Sequence, residues 1–396
     1  MHPTAAHAAY PAGFRSRRGL NWVSIGLLYG AFYMCRYNFR FAAPGMIAEF
    51  HFTTSQITDM LAIWSLAYGT GQLINGLLTD RIGGRTSLLI GAVGTIGINL
   101  IFGFASLAGT FITFSLVWLM NGYFQSFGAP GMVKINAAWF ARRERGTFSG
   151  IFGLMIQLGQ VAVSFLAPLI LAGFTFFAFT VPEGEWRWLF RIPPLFTAAA
   201  ALFMYFAARP TPEEAGFPGV IRDEIDDSAG VTVSLLDSFR TIFTHPLVWF
   251  YAAAYACTGA VRSSSDQIAI LYFQDQMGFD MKTNIPAAAR RTLELMPLVA
   301  VAGSFLAGWV SDRFFKGHRS PVAMSLYIIE AVVISIAAVV LLLGHVGPTA
   351  GGILLGCTIL VLIAFTANST HSIVGSAAPM DIGGKKMAGF AAGVID

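Results

Sequence analysis

Two arginines lie inside long apolar stretches of the chain. Arg36 falls within the apolar run from Leu20 to Ala43, and Arg262 falls within a second run that follows Pro246. A charged side chain in such a run is costly to bury and is a functional candidate by default. A guanidinium group presents a planar fork of donors that matches a phosphate or a carboxylate. The residue type therefore indicates the binding of an anion.

Each arginine has polar neighbours at helical spacing. These are Tyr29, Tyr33 and Arg40 beside Arg36, and Tyr255 and Asp266 beside Arg262. Tyr68 and Gln72 share one face of another apolar run. Polar faces on apolar helices must point away from lipid, toward protein or a water-filled path. We therefore predict one shared chamber, in which a bound dianion relieves the repulsion between the two arginines.

Simpler interpretations exist for some of these charges. Arg262 has Asp266 one turn away as an ion-pair partner, and backbone carbonyls and tyrosine hydroxyls are available to Arg36. Arg40, nearer the outer end, is expected to extend toward the interface in a structural role. Glu330 is expected to line a helix contact, with proton transfer as the alternative.

Composition identifies the elements that must position these residues. The chain is 55% hydrophobic and only 12% charged, and its apolar blocks approach the roughly 20 residues that cross a bilayer. We predict an all-α membrane protein with a tail (1–19), a six-helix bundle (20–207), a linker (208–245) and a second bundle (246–396). Ten spans are expected, with midpoints near Phe32, Tyr68, Thr95, Asn121, Val161, Ala198, Gly259, Ser304, Val332 and Cys357, and an eleventh begins near Met387.

Basic residues and a repeat define one end of the bundle. Lys and Arg concentrate in alternate loops, which places the N-terminus and those loops in the cytoplasm. Two of these loops share the pattern Gly, three residues, Asp, Arg: GLLTDRIGGR at 76–85 and GWVSDRFFKGHR at 308–319. This doubled loop resembles the loop motif of the major facilitator superfamily. The resemblance implies two six-helix bundles related by pseudo-two-fold symmetry, with a gating role for Gly76, Asp80, Arg81, Arg85, Asp312 and Arg313.

Four stretches narrow the resemblance. They are YGAFYMCRYNF (29–39), NGYFQSFGAPGMVKINAAWFARRERGTFSG (121–150), RSSSDQIAILYFQD (262–275) and GGKKMAGFAAG (383–393), the last similar to a loop before an eleventh helix. The set is similar to the organophosphate:phosphate antiporter family of bacterial glycerol-3-phosphate and hexose-phosphate carriers. The resemblance implies that Arg36 and Arg262 bind phosphate and that Tyr29, Tyr33 and Tyr68 line the site.

The chain also departs from that family. Gln72 stands where better-known carriers have a lysine, and Ile156 or Gln157 stands where they have a histidine. The site is therefore expected to lack one positive charge and one titratable group. The second bundle, with 151 residues against about 190 in the first, is expected to be incomplete.

The expected function is transport by alternating access, exchanging an organophosphate for inorganic phosphate across the bacterial plasma membrane. Three alternatives stay open: a proton-coupled organic-anion symporter with Asp266 or Glu330 as proton carrier, a sugar-phosphate sensor, and a drug exporter. The two arginines argue against the last. The chain contains no cluster of metal ligands, nucleotide-binding loop or nucleophile motif, so no enzyme, cofactor or metal is expected. The expected partners are the anionic solute and the bilayer. No nucleic acid is expected to bind, and the protein is expected to be a monomer.

Overall fold

The computed structural model describes residues 10–104, 109–141, 145–177, 179–221, 235–281, 285–315 and 319–395. Within these ranges the chain is almost entirely helical. The helices are α1 (Phe14–Phe50), α2 (Thr54–Ile82), α3 (Gly84–Phe104), α4 (Phe111–Gln125), α5 (Gly128–Trp139), α6 (Arg145–Leu171), α7 (Pro193–Ala207), α8 (Leu235–Phe243), α9 (Pro246–Met277), α10 (Ala287–Phe314), α11 (Arg319–Leu342) and α12 (Ala350–Ile395). Strands β1 (Phe174–Phe176) and β2 (Phe179–Val181) form a small antiparallel hairpin, and Trp186–Phe190 and Glu213–Ala215 form 3-10 turns.

Local signals explain several helix ends. Thr53 and Gln56 form a capping box at the start of α2, in which each side chain bonds the other residue's backbone N–H. The helix ends at Gly83, which has a φ of 84° that only glycine adopts without strain. Gly278 ends α9 in the same way, with a φ of 65°. Capping residues and glycines therefore mark the helix ends at the points where the apolar runs stop.

All ten expected midpoints lie in helices. Six described segments are long and apolar enough to cross a membrane: 84–104, 153–171, 186–207, 287–310, 321–342 and 350–372. Helices α1, α2 and α9 have the length but carry the polar residues of the predicted chamber. The outer surface bears large exposed apolar side chains such as Leu66, Val93 and Phe250, as a lipid-facing surface requires. The chain is an integral, multi-pass membrane protein.

Two spans differ from the sequence-based expectation. The fourth is broken at Ser126 and Phe127, where α4 ends and α5 begins. The tenth lies in α12, which extends as helix through 383–393, where the sequence indicated a loop before an eleventh helix.

Helix α12 nevertheless reverses direction. A Cβ placed on Gly383 would lie 2.8 Å from Cα of Ala388, whereas five residues of straight helix rise roughly 7.5 Å. Gly389 lies against Gly76, and Gly393 lies against Gln72, so the chain runs back along α2 after the bend. The eleventh span expected near Met387 therefore begins inside α12.

The helices pack as two groups. Within the first, α1 lies against α6 and α7, and α2 and α3 lie against α4; within the second, α12 lies against α9, α10 and α11. Contacts between the groups join α12 to α2, α5 and α6, α10 to α6, and α1 to α9. Glycines permit the closest approaches: a Cβ on Gly159 of α6 would overlap the carbonyl oxygen of Gly30 on α1. This contact fixes the face of α1 that carries Tyr33.

Candidate functional site

Arg36 is held by one amide and three aromatic rings. Its Nε donates to Oε1 of Gln125 at 2.9 Å. Its guanidinium carbon lies 4.4 Å, 4.5 Å and 4.6 Å from the ring centroids of Tyr68, Tyr33 and Trp64, all within the range of a cation–π interaction. The side chain is buried, and Nη2 has no hydrogen-bond partner among the described residues. A buried guanidinium with an unused N–H is a ready donor to an anion.

Arg262 occupies the equivalent place in the second group of helices. Its Nη1 lies 2.7 Å from Nε2 of His371, and its Nη2 donates to the hydroxyl of Tyr37 at 3.4 Å. Its Nε lies 3.6 Å from Oδ2 of Asp266, an ion pair longer than a hydrogen bond. The pairing with Asp266 that the spacing allowed is therefore present, but it does not exhaust the donors of Arg262.

The structure brings the two arginines to one ring. The guanidinium carbons of Arg36 and Arg262 lie 4.5 Å and 5.8 Å from the centroid of Tyr33. These distances are two sides of a triangle, so the two carbons are at most about 10.3 Å apart. At that separation the repulsion is about 2 kcal/mol for an effective dielectric constant of 20. A bound anion between the two groups would remove this cost.

The polar network around Asp266 closes the site toward the ends of α1 and α9. The Asp266 carboxyl group accepts hydrogen bonds from Nε2 of Gln160 at 3.0 Å and from the Tyr37 hydroxyl at 3.3 Å. Arg40 donates to the Asp266 backbone oxygen at 2.5 Å and to the Ser164 hydroxyl at 2.9 Å. Arg40 is 3% exposed, so the expectation that it extends to the interface is wrong. It joins the two helix groups instead.

The remaining predicted site residues occupy different depths. Tyr29 is buried and its ring meets that of Tyr33 edge to face, with the centroids 5.4 Å apart. Tyr68 is half-buried and stacks on Trp64. Gln72 is fully buried, one turn of α2 further on, where its backbone meets Gly393. Gln157 donates from Nε2 to Oδ1 of Asn368 at 2.5 Å, which links α6 to α12.

The arginine-rich end of the bundle, where α2 ends at Ile82, is closed by the first predicted loop. A Cβ on Gly76 would lie 2.8 Å from the carbonyl oxygen of Gly389. The Asp80 carboxyl group accepts the backbone N–H of Phe390 at 2.9 Å and of Gly389 at 3.3 Å. It also pairs with Lys134 of α5 at 2.7 Å. Asp80 therefore ties the second helix group to the first.

The other predicted gating residues do not share that contact. Arg81 and Arg313 are exposed at helix ends. Arg85 donates to the backbone oxygen of Tyr205 and lies over its ring. The Asp312 side chain lies outside the described residues. Contacts with the opposite helix group are therefore described for Gly76 and Asp80 of the first loop, and not for Asp312 of the second.

Sequence reasoning missed four residues of the site: His371, Gln125, Trp64 and Tyr37. The most consequential is His371, a single histidine in the tenth span. No histidine stands at the position of Ile156 or Gln157, as expected, but α12 supplies one to the site from the second helix group. Gln125 lies in the stretch 121–150 that carries the family resemblance, but the sequence alone gave it no role.

Glu330 takes the role of a helix contact. It is 4% exposed, and the Thr258 hydroxyl donates to both of its carboxyl oxygens at 3.2 Å. This joins α9 to α11 one helical turn before Arg262, on the same face of α9.

This architecture has clear relatives. Residues 25–396 match the family described as the Major Facilitator Superfamily. The chain belongs to the major facilitator superfamily. A solved structure of the superfamily's proton:xylose symporter XylE aligns with a TM-score of 0.67 over 96% of this chain and 85% of that one, at 15% sequence identity. The predicted fold class is thereby confirmed.

Two curated relatives indicate which branch of the superfamily this chain resembles. The membrane sensor protein UhpC of Escherichia coli is 26% identical over 94% of this chain and 80% of its own length. The glycerol-3-phosphate transporter of Bacillus subtilis is 27% identical over 97% of this chain and 83% of its own length. The resemblance to the organophosphate:phosphate antiporter family is thereby confirmed.

Proposed function

We propose that this chain is a secondary transporter of a small phosphorylated or otherwise doubly anionic organic solute, which it exchanges for inorganic phosphate by alternating access. The observation that carries the proposal is the pair of buried guanidinium groups, one from each helix group, that flank the Tyr33 ring within about 10.3 Å of each other. The name of the Bacillus subtilis relative, a glycerol-3-phosphate transporter, agrees with this substrate class.

The proposed cycle follows from charge. Without ligand, Arg36 and Arg262 repel each other, which disfavours the state in which the helix groups are close around the site. A dianion attracts both groups and lowers the free energy of that state relative to the open states. A ligand drives such a change only through different affinities for the states. Because an empty site keeps the barrier high, the cycle proceeds as an exchange.

In this proposal the membrane orientation places the arginine-rich end in the cytoplasm. The contacts of Asp80 and Gly76 then close the cytoplasmic side, and those of Arg40 and Tyr37 close the outer side. The remaining predicted site residues, Tyr29, Tyr68, Gln72 and Gln157, line the path between the two closures.

The test is phosphate exchange in proteoliposomes. Arg36→Lys and Arg262→Lys each keep the charge but lose the planar fork, so we expect exchange to fall by about 10- to 100-fold. Arg290→Lys is the matched control, because Arg290 is half-exposed and pairs with Glu294 one turn away. Exchange at the rate of the unmodified protein in both site variants would overturn the assignment.

A membrane sensor for a sugar phosphate is the second candidate, favoured by the similarity to UhpC along 94% of this chain. The same geometry then binds the anion without completing a transport cycle. Ligand binding to the purified protein, combined with no flux in proteoliposomes, would identify a sensor. Flux that follows an imposed pH gradient without phosphate on the opposite side would instead identify a proton-coupled symporter.

A further inference from the structure

His371 contacts the candidate anion site directly. The side chain is 5% exposed, and its ring stacks on Tyr255 with the centroids 4.1 Å apart. Its Nε2 lies 2.6 Å from the Tyr255 hydroxyl oxygen and 2.7 Å from Nη1 of Arg262. One ring nitrogen of a buried histidine therefore meets two hydrogen-bond donors at once.

Hydrogen-bond chemistry fixes the state of the ring in this arrangement. A guanidinium group only donates, so Nε2 must accept and carries no proton while Arg262 is bound to it. The Tyr255 hydroxyl can only compete for the same lone pair. The proton of the neutral ring then sits on Nδ1, which is buried and has no partner among the described residues. In the neutral histidine, two donors thus share the single lone pair of Nε2, and the N–H at Nδ1 has no acceptor among the described residues.

Protonation would reverse these contacts. Both ring nitrogens of an imidazolium donate, so Nε2 would bond the Tyr255 oxygen and could no longer hold Arg262. Arg262 would be released with its Nη1 donor free, and His371, Arg262 and Arg36 would bring three positive charges to a site that holds the single carboxylate of Asp266. That state is unfavourable in an empty site and favourable beside a dianion.

The two acids that the described residues place around His371 already have partners. The described titratable groups of the network around it are Tyr255, Arg262 and Asp266 of α9, Tyr33, Arg36, Tyr37 and Arg40 of α1, and Glu330 of α11. Asp266 already accepts from Gln160 and Tyr37, and Glu330 already accepts from Thr258. On the neighbouring helices, Asp80 of α2 pairs with Lys134 of α5, and Arg290 of α10 pairs with Glu294.

We propose that His371 takes up a proton from solution when an anion binds to Arg262 and releases that proton when the anion leaves. Each anion then crosses the membrane together with a proton. This proposal rests on the anion site proposed above and adds a coupling ion to it. Coupling between the two ligands is reciprocal, so lower pH strengthens anion binding as much as the anion favours protonation.

Calorimetric titration of the full chain in detergent tests the coupling, with sulfate as the probe because it stays doubly charged from pH 5.5 to 8. We expect one proton to be taken up per sulfate bound, measured from buffers of different ionisation enthalpy. We also expect the affinity to fall by about tenfold per pH unit in the range where His371 is neutral in the empty site and protonated beside the anion.

Variants separate His371 from the other titratable groups. His371→Gln keeps an amide that can accept from Arg262, so sulfate should still bind, with no proton uptake and no dependence on pH. Glu330→Gln and His345→Gln, the latter at an exposed residue, should behave like the unmodified protein. Tyr255→Phe removes the acceptor of the protonated ring and should move proton uptake to lower pH.

The outcomes distinguish the two proposals. Sulfate binding without proton uptake in the unmodified protein, or unchanged uptake in His371→Gln, would overturn the role of His371 and leave the anion site intact. Loss of uptake in Glu330→Gln would assign the proton to Glu330 instead. Absence of binding by sulfate and by phosphate at every pH would overturn the anion site, and the proton coupling with it.

Discussion

Gln125 is the hydrogen-bond partner that fixes Arg36 in the site. Its Oε1 accepts from Nε of Arg36 at 2.9 Å, and its Nε2 donates to the backbone oxygen of Cys35 at 3.2 Å. Both bonds run from α4 to α1, so the amide orients the guanidinium group while it leaves the charge of Arg36 uncompensated. An uncompensated buried cation is what an anion site requires.

The first prediction concerns that missing charge. Gln125→Glu should place a carboxylate on Arg36, which then competes with phosphate for the guanidinium group. A hydrogen bond to a charged group is stronger than one to a neutral group by about 1.4 kcal/mol, so phosphate binding should weaken by about tenfold or more. Titration of phosphate against the purified protein measures the change. Gln56→Glu is the control, since glutamate preserves the capping box of α2 far from the site. Equal affinities in the two variants would contradict the role of Gln125.

The second prediction concerns the ring that both cations approach. Tyr33→Phe keeps the aromatic face and should keep the stability of the ligand-free protein. Tyr33→Leu removes it and should lower that stability by about 1–2 kcal/mol, with a larger stabilisation by phosphate than in Tyr33→Phe. In Tyr33→Leu, the bound anion replaces the favourable electrostatic interaction that the ring provided to the two guanidinium groups. Thermal unfolding with and without phosphate measures both effects, and equal phosphate-induced shifts would argue against a shared ring.

The third prediction concerns the closure at the arginine-rich end. Asp80→Asn removes the ion pair with Lys134 and weakens the two backbone contacts to α12, so we expect this end to open in a larger fraction of molecules. Spin labels on cysteines at Arg81 and Arg313, in a background without the native cysteines, report the separation by electron-electron resonance. Longer distances are expected in the variant, and an unchanged distribution would show that Asp80 does not hold this end closed.

The fourth prediction compares two glycines of α2. Gly76→Ala adds a Cβ 2.8 Å from the Gly389 oxygen, whereas a Cβ on Gly69 meets no atom within 4 Å. Alanine is the better helix former by roughly 0.5–1 kcal/mol, so Gly69→Ala should be neutral or stabilising and Gly76→Ala destabilising. Thermal unfolding of both variants gives the comparison. The reverse order of stabilities would mean that α2 and α12 do not pack this closely.

Part of this site was readable from the sequence. Arg36 and Arg262 could be recognised because a charge in an apolar run has few structural explanations, and because the two runs hold equivalent positions in a repeated chain. Gly76 and Asp80 could be recognised because their spacing occurs twice. In these cases the decisive information is a local pattern that the chain contains twice.

The rest depends on packing between helices, which no local pattern encodes. The partners of His371 are on α9, more than 100 residues away. The partner of Arg36 is an amide of α4, and the direction of Arg40 is set by the Asp266 backbone. The break of the fourth span at Ser126 was likewise not expected from the sequence.

The contact of α2 with α12 has an electrical consequence. Where Gly76 meets Gly389 and Gly393 meets Gln72, the backbones leave no room for a methyl group, and so none for a file of water molecules. Protons hop along such files, and a carrier that stored one would short-circuit the membrane voltage. Close packing at these three glycines would therefore hinder the passage of protons between α2 and α12.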